Sequence, residues 1–278
     1  MPESPFTLEI GDGVLPGHTG GKGVPALLLH GGPGLPDYLE GLAAELGDIF
    51  TTIRYTQRGT PPATTGGPYT IESHMADALA VLDGFGLEQA WAIGHSWGAH
   101  LALHLAVAHP ERLYGIVCID SLGASDDVLP EFRANLRRNL SDEQLARLEA
   151  LDAIPDDEVT EAEALEFFGL IWPNYFFEPA TAPPMPIRNM SVECSNATFA
   201  SIREHFEAGT LQNGLRKVKL PALFVHGIDD PLPISTSIET RKLVRGSKLA
   251  RIPRCGHFPW LEQPGFTPRA IRGLFAQM

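Results

Sequence analysis

The sequence predicts an α/β protein, a mostly parallel, doubly wound sheet with a helical cap inserted between two of its strands. Short continuous apolar runs alternate with helical patterns along the chain, which is typical of parallel strands covered by helices on both faces. An apolar run over 6–10 and a glycine-rich stretch around 17–23 precede them and predict an opening β-meander. The predicted parallel strands lie at roughly 26–30, 51–55, 90–94, 114–119, 221–226 and 248–252.

A long insertion interrupts this alternation. The stretch 124–215 separates two predicted strands and is too long for a structureless loop in a compact domain. We therefore expect an α/β core domain over 1–123 and 216–278, and a helical cap over 124–215.

Local signals within the insertion predict helices. Ser141 is the expected N-cap of a helix that runs to Asp152, with Gln144 at the capping-box position. An aromatic cluster over 167–177 and a proline-rich connector follow, before a second predicted helix over 192–207. The aromatic cluster either lines a substrate pocket or forms the core of the cap itself.

Composition excludes several classes of protein. At 278 residues, of which 44% are apolar, the chain is long enough to bury one large core and an accessory lid. It has no membrane-spanning apolar run of about 18 residues, and the N-terminus lacks the regions of a signal peptide, so we expect a cytoplasmic protein. The net charge of −13 disfavours binding to nucleic acid and to anionic membranes. Cys118, Cys194 and Cys255 are predicted to be free thiols.

The most informative motif is a G-x-S-x-G pentapeptide centred on Ser96. A predicted strand precedes it and a helical pattern follows, which is the context of a nucleophilic serine on a sharp strand-to-helix turn. A side chain at Gly94 or Gly98 would collide with the neighbouring strand or helix. The motif predicts a serine hydrolase with Ser96 as nucleophile.

The general base is predicted to be His257. It follows the last predicted strand, where the chain order serine, acid, histidine places the base. His100 and His104, four residues apart on one helix face, are the nearest rival constellation. They lack the glutamate of a zinc-binding H-E-x-x-H motif and an evident third ligand, so we expect no metal site.

Three aspartates are candidates for the acid that orients His257. Asp230 and Asp229 follow the strand over 221–226, and Asp230 is far enough round the loop to point back toward the histidine. Asp229 is better suited to capping a helix or facing solvent. Asp120, at the end of an earlier strand, is the third candidate. We predict Asp230.

Two backbone N–H groups are needed to bind the oxyanion. One is predicted from Trp97, directly after the nucleophile at the start of a helix, where the helix dipole favours negative charge. The other is predicted from the glycine-rich turn after the strand over 26–30, where missing Cβ atoms allow close approach. Gly32 is the preferred donor and Gly31 the alternative.

These motifs together resemble the α/β-hydrolase superfamily, from about residue 6 to the end of the chain and interrupted only by the cap. The motifs are H-G-G-P-G at 30–34, Q-R-G at 57–59, G-H-S-W-G at 94–98, G-I-D-D at 227–230 and G-H at 256–257. Within the superfamily, H-G-G-P-G together with G-x-S-W-G is similar to the proline iminopeptidase family. Thr56 stands where that family usually has an aspartate before Q-R-G.

The resemblance to proline iminopeptidases implies hydrolysis of a small amide or peptide through an acyl-enzyme, with no cofactor. It also implies that carboxylates in the cap recognise the free amine of the substrate. Candidate substrate-binding residues in the cap are Trp172, Phe176, Glu178 and Glu193, with Glu204 and Glu207 as further carboxylates.

Two alternative functions remain open from the sequence. One is a carboxylic ester or lactone hydrolase, and the other is a non-catalytic ligand-binding protein on the same fold. Haloalkane dehalogenases and epoxide hydrolases of this fold resemble the chain less, because they place aspartate where this chain has Ser96. We expect a small-molecule substrate, while the oligomeric state stays open.

Overall fold

A computed structural model describes residues 3–11 and 13–277, which form an eight-stranded sheet in the order β1-β2-β4-β3-β5-β6-β7-β8. β1 and β2 pair with each other antiparallel, and β2 pairs antiparallel with β4, while β3 to β8 pair in parallel. The strands are β1 Ser4–Ile10, β2 Gly13–Gly21, β3 Val24–Leu29, β4 Phe50–Tyr55, β5 Ala90–His95, β6 Leu113–Ile119, β7 Ala222–Gly227 and β8 Lys248–Ile252. The predicted mostly parallel sheet, including its opening meander, is confirmed.

Helices cover both faces of this sheet. They are α1 Glu40–Leu46, α2 Ile71–Gly84, α3 Trp97–Ala108, α4 Leu129–Arg137, α5 Asp142–Asp152, α6 Glu161–Ile171, α7 Val192–Glu207, α8 Thr210–Gly214, α9 Ser235–Leu243, α10 Pro259–Glu262 and α11 Phe266–Phe275. Short 3-10 turns cover Pro110–Arg112, Trp172–Tyr175, Pro179–Thr181 and Leu215–Lys217.

Alternation along the parallel strands separates two apolar cores. In β3, Leu27 and Leu29 pack with α2 and α3 on one face, whereas Ala26 and Leu28 pack with α1 and α11 on the other. Because successive side chains of a strand point to opposite faces, one short apolar run serves both cores. This double coverage explains why these strands are apolar throughout rather than alternating.

The segment between β6 and β7 is largely helical and contains α4 to α8. Its helix α5 begins at the expected capping box, in which the Ser141 hydroxyl accepts from the Gln144 N–H and the Gln144 side chain accepts from the Ser141 N–H. Helix α7 has the predicted extent, and Ser191 caps it.

Helix α7 begins against the glycine-rich turn that follows β3. The Ser191 N–H donates to the Gly34 carbonyl at 2.8 Å, and a Cβ atom on Gly34 would lie 2.3 Å from the Ser191 carbonyl oxygen. The Cys194 thiol donates to the Arg58 carbonyl at 3.3 Å. The inserted segment therefore rests directly on the loops at the carboxyl ends of β3 and β4.

Candidate active site

Ser96 occupies a sharp turn between β5 and α3. Its backbone angles are φ 55° and ψ −119°, a region that non-glycine residues rarely adopt and that is costly to hold. A Cβ atom on Gly94 would lie 2.2 Å from the Gly98 carbonyl oxygen, and one on Gly98 would lie 2.0 Å from the Leu29 carbonyl oxygen. Ser96 is half-buried, whereas the residues on either side of it are buried. The turn presents this one side chain at the carboxyl edge of the sheet.

His257 and Asp230 meet although 27 residues separate them in the chain. The His257 Nδ1–H donates to Asp230 Oδ2 at 2.7 Å, and the Leu232 N–H donates to Asp230 Oδ1 at 2.8 Å. The His257 N–H donates to the Tyr175 carbonyl at 2.7 Å, which fixes the backbone of the histidine loop. Asp229 is exposed, as the sequence interpretation expected.

The hydrogen bond to Asp230 also fixes the tautomer of His257. With the proton on Nδ1, Nε2 carries the free lone pair that a general base needs. Burial lowers the pKa of His257, so the imidazole is neutral at physiological pH and Nε2 can accept a proton.

Asp120, the other candidate acid, is buried at the end of β6 with φ 47°. Its Oδ1 accepts from the Gly227 N–H at 2.8 Å. It therefore ties β6 to β7, while Asp230 is the aspartate that bonds His257.

Gly31 and Gly32, the two candidate oxyanion donors in the turn after β3, differ in the hydrogen bonding of their N–H groups. The Gly31 N–H donates to the Tyr38 hydroxyl at 2.9 Å, so this N–H already has a partner. Gly32 has φ 59° and is half-buried, and no bond from its N–H is found within the described part of the chain. The geometry favours Gly32 over Gly31 as an oxyanion donor beside Trp97, the first residue of α3.

Gln57 connects the turn after β3 to α3, the helix that begins directly after Ser96. Its side-chain amide donates to the His30 carbonyl at 2.8 Å and accepts from the indole N–H of Trp97 at 2.9 Å. The Gln57 N–H donates to His30 Nε2 at 3.0 Å. The Q-R-G motif was noted in the sequence, but the role of this glutamine was not foreseen.

Tyr38 and His95 form a second link that the sequence interpretation missed. The His95 Nε2–H donates to the His257 carbonyl at 2.7 Å, so Nε2 carries the proton. Burial lowers the pKa of His95. Its neutral Nδ1 therefore accepts from the Tyr38 hydroxyl at 2.8 Å. Because Tyr38 also accepts from Gly31, one chain of hydrogen bonds connects the turn after β3 to the backbone of His257.

The aromatic cluster of the inserted segment lies in the interior. Trp172 and Phe176 are buried and pack on Phe258, with ring centroids 4.9 and 5.4 Å from it. Tyr175 is the member that contacts His257, with ring centroids 5.0 Å apart. The cluster thus belongs to the buried core next to the histidine loop, and the pocket-lining role of Trp172 and Phe176 stays a prediction.

The four carboxylates considered for amine recognition are all exposed. They are Glu178, Glu193, Glu204 and Glu207. A carboxylate that pairs with a buried ammonium must itself be shielded from water to discriminate strongly. None of the four has this property, so the structure does not bring the expected amine site together.

His100 and His104 bond each other rather than facing a common ligand position. The His100 Nδ1–H donates to the Gly123 carbonyl at 2.8 Å, and its Nε2 lies 3.2 Å from His104 Nε2. Burial lowers the pKa of both rings. This pair is a satisfied buried histidine contact on one face of α3.

Comparison with known proteins agrees with this architecture. The profile of the alpha/beta hydrolase family matches residues 26–267. A 2-hydroxymuconate semialdehyde hydrolase of Pseudomonas putida is 27% identical over 282 residues, which cover 94% of this chain and 90% of that protein. A proline iminopeptidase of Heyndrickxia coagulans is 25% identical over 267 residues, 88% of each protein. The crystal structure of VinJ matches with a TM-score of 0.76 at 20% identity, covering 100% of both chains.

The chain therefore belongs to the alpha/beta hydrolase family and is a hydrolase. The resemblance expected from its motifs is confirmed at this level, and proline iminopeptidases are among its relatives. Across the described residues, no helix combines the length and apolarity needed to cross a membrane.

Replacing Asp230 by Asn is expected to lower kcat by roughly 10⁴, because the amide favours the wrong tautomer of His257. The matched replacements Asp229→Asn and Asp120→Asn are each expected to cost less than about tenfold, because Asp230 keeps its bond to the histidine. Steady-state kinetics of the three variants measure this. A crippling effect of Asp120→Asn with a mild effect of Asp230→Asn would contradict the assignment.

Replacing Tyr38 by Phe removes the donor to His95 Nδ1 and the acceptor of the Gly31 N–H. The buried imidazole nitrogen then lacks a partner, which we expect to lower the free energy of unfolding by about 1–3 kcal/mol. We also expect kcat to fall more than KM changes. Tyr114→Phe, at a tyrosine that is 42% exposed, is the control. Denaturant unfolding and kinetics that match between the two variants argue against the link.

Proposed function

We propose that this chain is a serine hydrolase that cleaves a small, uncharged carboxylic ester or lactone through an acyl-enzyme on Ser96. The observation that carries the proposal is the strained turn at Ser96, combined with the 2.7 Å bond between His257 and Asp230 at the same edge of the sheet. A nucleophile, a base and an orienting acid are the parts that acyl transfer requires.

In this mechanism Ser96 Oγ attacks the carbonyl carbon while His257 Nε2 takes its proton. Asp230 holds the imidazole in the required tautomer and stabilises the imidazolium that forms. The N–H groups of Trp97 and Gly32 bind the oxyanion. His257 then gives its proton to the leaving oxygen, and a water molecule activated by the same nitrogen releases the acid from Ser96.

The preference for an uncharged substrate follows from the distribution of charge. Every charged side chain that is buried in the described part of the chain already bonds a protein group, so none is left to pair with a charged substrate group. These side chains are Arg54 with Glu3 and Asp37, Arg58 with Asp77, Asp120 with the Gly227 N–H, and Asp230 with His257.

This distribution favours the ester or lactone alternative over the peptidase that the motifs suggested. An N-terminal amine requires a shielded carboxylate, and the four candidates in the inserted segment are exposed. The net charge of −13 further disfavours anionic substrates.

A second candidate is a hydrolase for a substrate like 2-hydroxymuconate semialdehyde. It is favoured by similarity over nearly the whole chain to 2-hydroxymuconate semialdehyde hydrolases, at 27% and 25% identity for two Pseudomonas proteins. Such a substrate carries a carboxylate, so this candidate needs a cationic group that faces Ser96.

The inserted segment 124–215 is proposed to act as a cap over this site. Two contacts support this role of the segment. Ser191 bonds Gly34 in the glycine-rich turn after β3, and Tyr175 packs against His257. The cap would then help to position two parts of the site, the oxyanion donors and the general base.

Replacing Ser96 by Ala is expected to abolish ester hydrolysis, with a loss on the order of 10⁴ to 10⁶ in kcat. A serine-directed fluorophosphonate should label the parent protein once and the variant not at all, as intact-mass spectrometry would detect. Thermal unfolding should be little changed. Undiminished turnover, or labelling at another residue, contradicts the role of Ser96.

The substrate class can be tested with two proline esters, one with a free ammonium group and one whose nitrogen is acetylated and therefore uncharged. N-acetylproline methyl ester should be hydrolysed with a kcat/KM at least roughly 30-fold above that of proline methyl ester, because burying an unpaired ammonium costs about 2 kcal/mol or more. Glu178→Gln and Glu193→Gln should leave this ratio unchanged. The reverse preference would support the peptidase, and faster turnover of 2-hydroxymuconate semialdehyde than of either ester would support the second candidate.

A further inference from the structure

Two carboxyl groups share one buried space behind His257. The side chains of Asp120 and Asp230 are both inaccessible to solvent. One atom each from Asp120, His226 and Asp230 lie within 4.8 Å of one another, and atoms of Asp120, His257 and His95 form a second group within the same limit. The mechanism proposed above uses Asp230 and leaves Asp120 without a role.

Neither carboxyl is neutralised by a cation. His226 donates from Nε2 to the Leu232 carbonyl at 2.9 Å, and its Nδ1 lies 2.8 Å from the Ser237 hydroxyl. Burial lowers the pKa of His226, so the ring is neutral and Nδ1 accepts the serine proton. Within the described ranges, no lysine or arginine forms an ion pair with either aspartate.

The two carboxyls differ in how well they can carry a negative charge. Asp230 accepts from the His257 Nδ1–H and from the Leu232 N–H. Asp120 accepts only from the Gly227 N–H, through Oδ1, and its Oδ2 is buried with no partner that could donate to it. Two adjacent buried carboxylates cannot both be ionised, so one holds a proton.

We propose that Asp120 is protonated and donates its proton from Oδ2 to Asp230, so that the two aspartates share one negative charge behind His257. This arrangement gives the unpartnered Oδ2 a hydrogen bond and places the negative charge on Asp230, the carboxyl that accepts more hydrogen bonds. Burial and the charge of Asp230 both raise the pKa of Asp120, in agreement with the geometry.

The consequence for the reaction rests on the proposed function. A hydrogen bond from Asp120 stabilises the Asp230 carboxylate, and so keeps it ionised while the imidazolium forms on His257. Asp120 is thus a positioning residue that acts through Asp230. The titratable groups that contact the pair or interact with it electrostatically are His95, Tyr175, His226, Cys255, His257 and Glu262.

The test compares Asp120→Asn with Asp120→Val. The amide of Asn keeps an acceptor for the Gly227 N–H and a donor for Asp230, whereas Val removes both. We expect Asp120→Asn to keep kcat within about tenfold and Asp120→Val to lower it by a further 10- to 100-fold or so, the typical effect of a hydrogen bond to a charged group. The acid limb of the pH profile should move to higher pH in Asp120→Val alone, because Asp230 without its donor is protonated more easily. Asp229→Asn is the exposed control.

A spectroscopic measurement makes the proposal independent of activity and of the folding of Asp120→Val. In protein labelled with ¹³C at the aspartate carboxyls, one carboxyl should have the chemical shift of the protonated form at neutral pH, and this signal should be absent from Asp120→Asn. If all aspartates are ionised at neutral pH, or if Val and Asn at position 120 give equal kcat and pH profiles, the proposal is wrong. If Ser96→Ala retains activity while the protonated signal is present, the proposed function fails and the shared proton stands.

Discussion

The close contact between β5 and α3 at Ser96 is the constraint on which the rest of the site depends. A backbone at φ 55° costs of order 1–3 kcal/mol, and it persists because both sides of the turn are fixed by packing. The Ser96 N–H bonds the Ile119 carbonyl at 2.9 Å, and Gly94 and Gly98 leave no space for a relaxed alternative. Ser96, the proposed nucleophile, is therefore held by the sheet rather than by a mobile loop, and the proposed oxyanion donor and base are arranged around it.

Hydrogen bonds with a fixed direction connect these loops. Carbonyl oxygens only accept, so the bond of His95 to the His257 carbonyl and that of His226 to the Leu232 carbonyl determine which nitrogen of each ring carries a proton. Both rings are neutral because burial lowers the pKa of each. Because neither ring carries a positive charge, no cation balances a second carboxylate next to His257. The proposed shared proton therefore leaves a single negative charge there, on Asp230. His95 and His226 thus affect the charge around His257, the proposed base, although neither takes part in the proposed mechanism.

The exposure of the charged side chains bears most directly on the substrate. Motifs that resemble proline iminopeptidases led us to expect a carboxylate in the cap that binds the amine of the substrate. Among the residues that the structure describes, the buried charged groups bond one another or the backbone, and the four candidate glutamates are exposed. Family membership therefore establishes that the chain is a hydrolase without defining its substrate.

The sequence by itself determined the sheet, the helices α3, α5 and α7, and the glycine-flanked turn at Ser96. Apolar runs such as that of β3, the capping box at Ser141 and the glycines around Ser96 are local patterns, and local sterics and hydrogen bonding are enough to read them. The sequence favoured Asp230 over Asp120 and Gly32 over Gly31, but only the tertiary structure shows the bond from His257 to Asp230, the bond from the Gly31 N–H to Tyr38, and the exposure of Glu178 and Glu193. These outcomes depend on distances between residues far apart in the chain. Such distances are set by how the strands and loops pack, which no local pattern records.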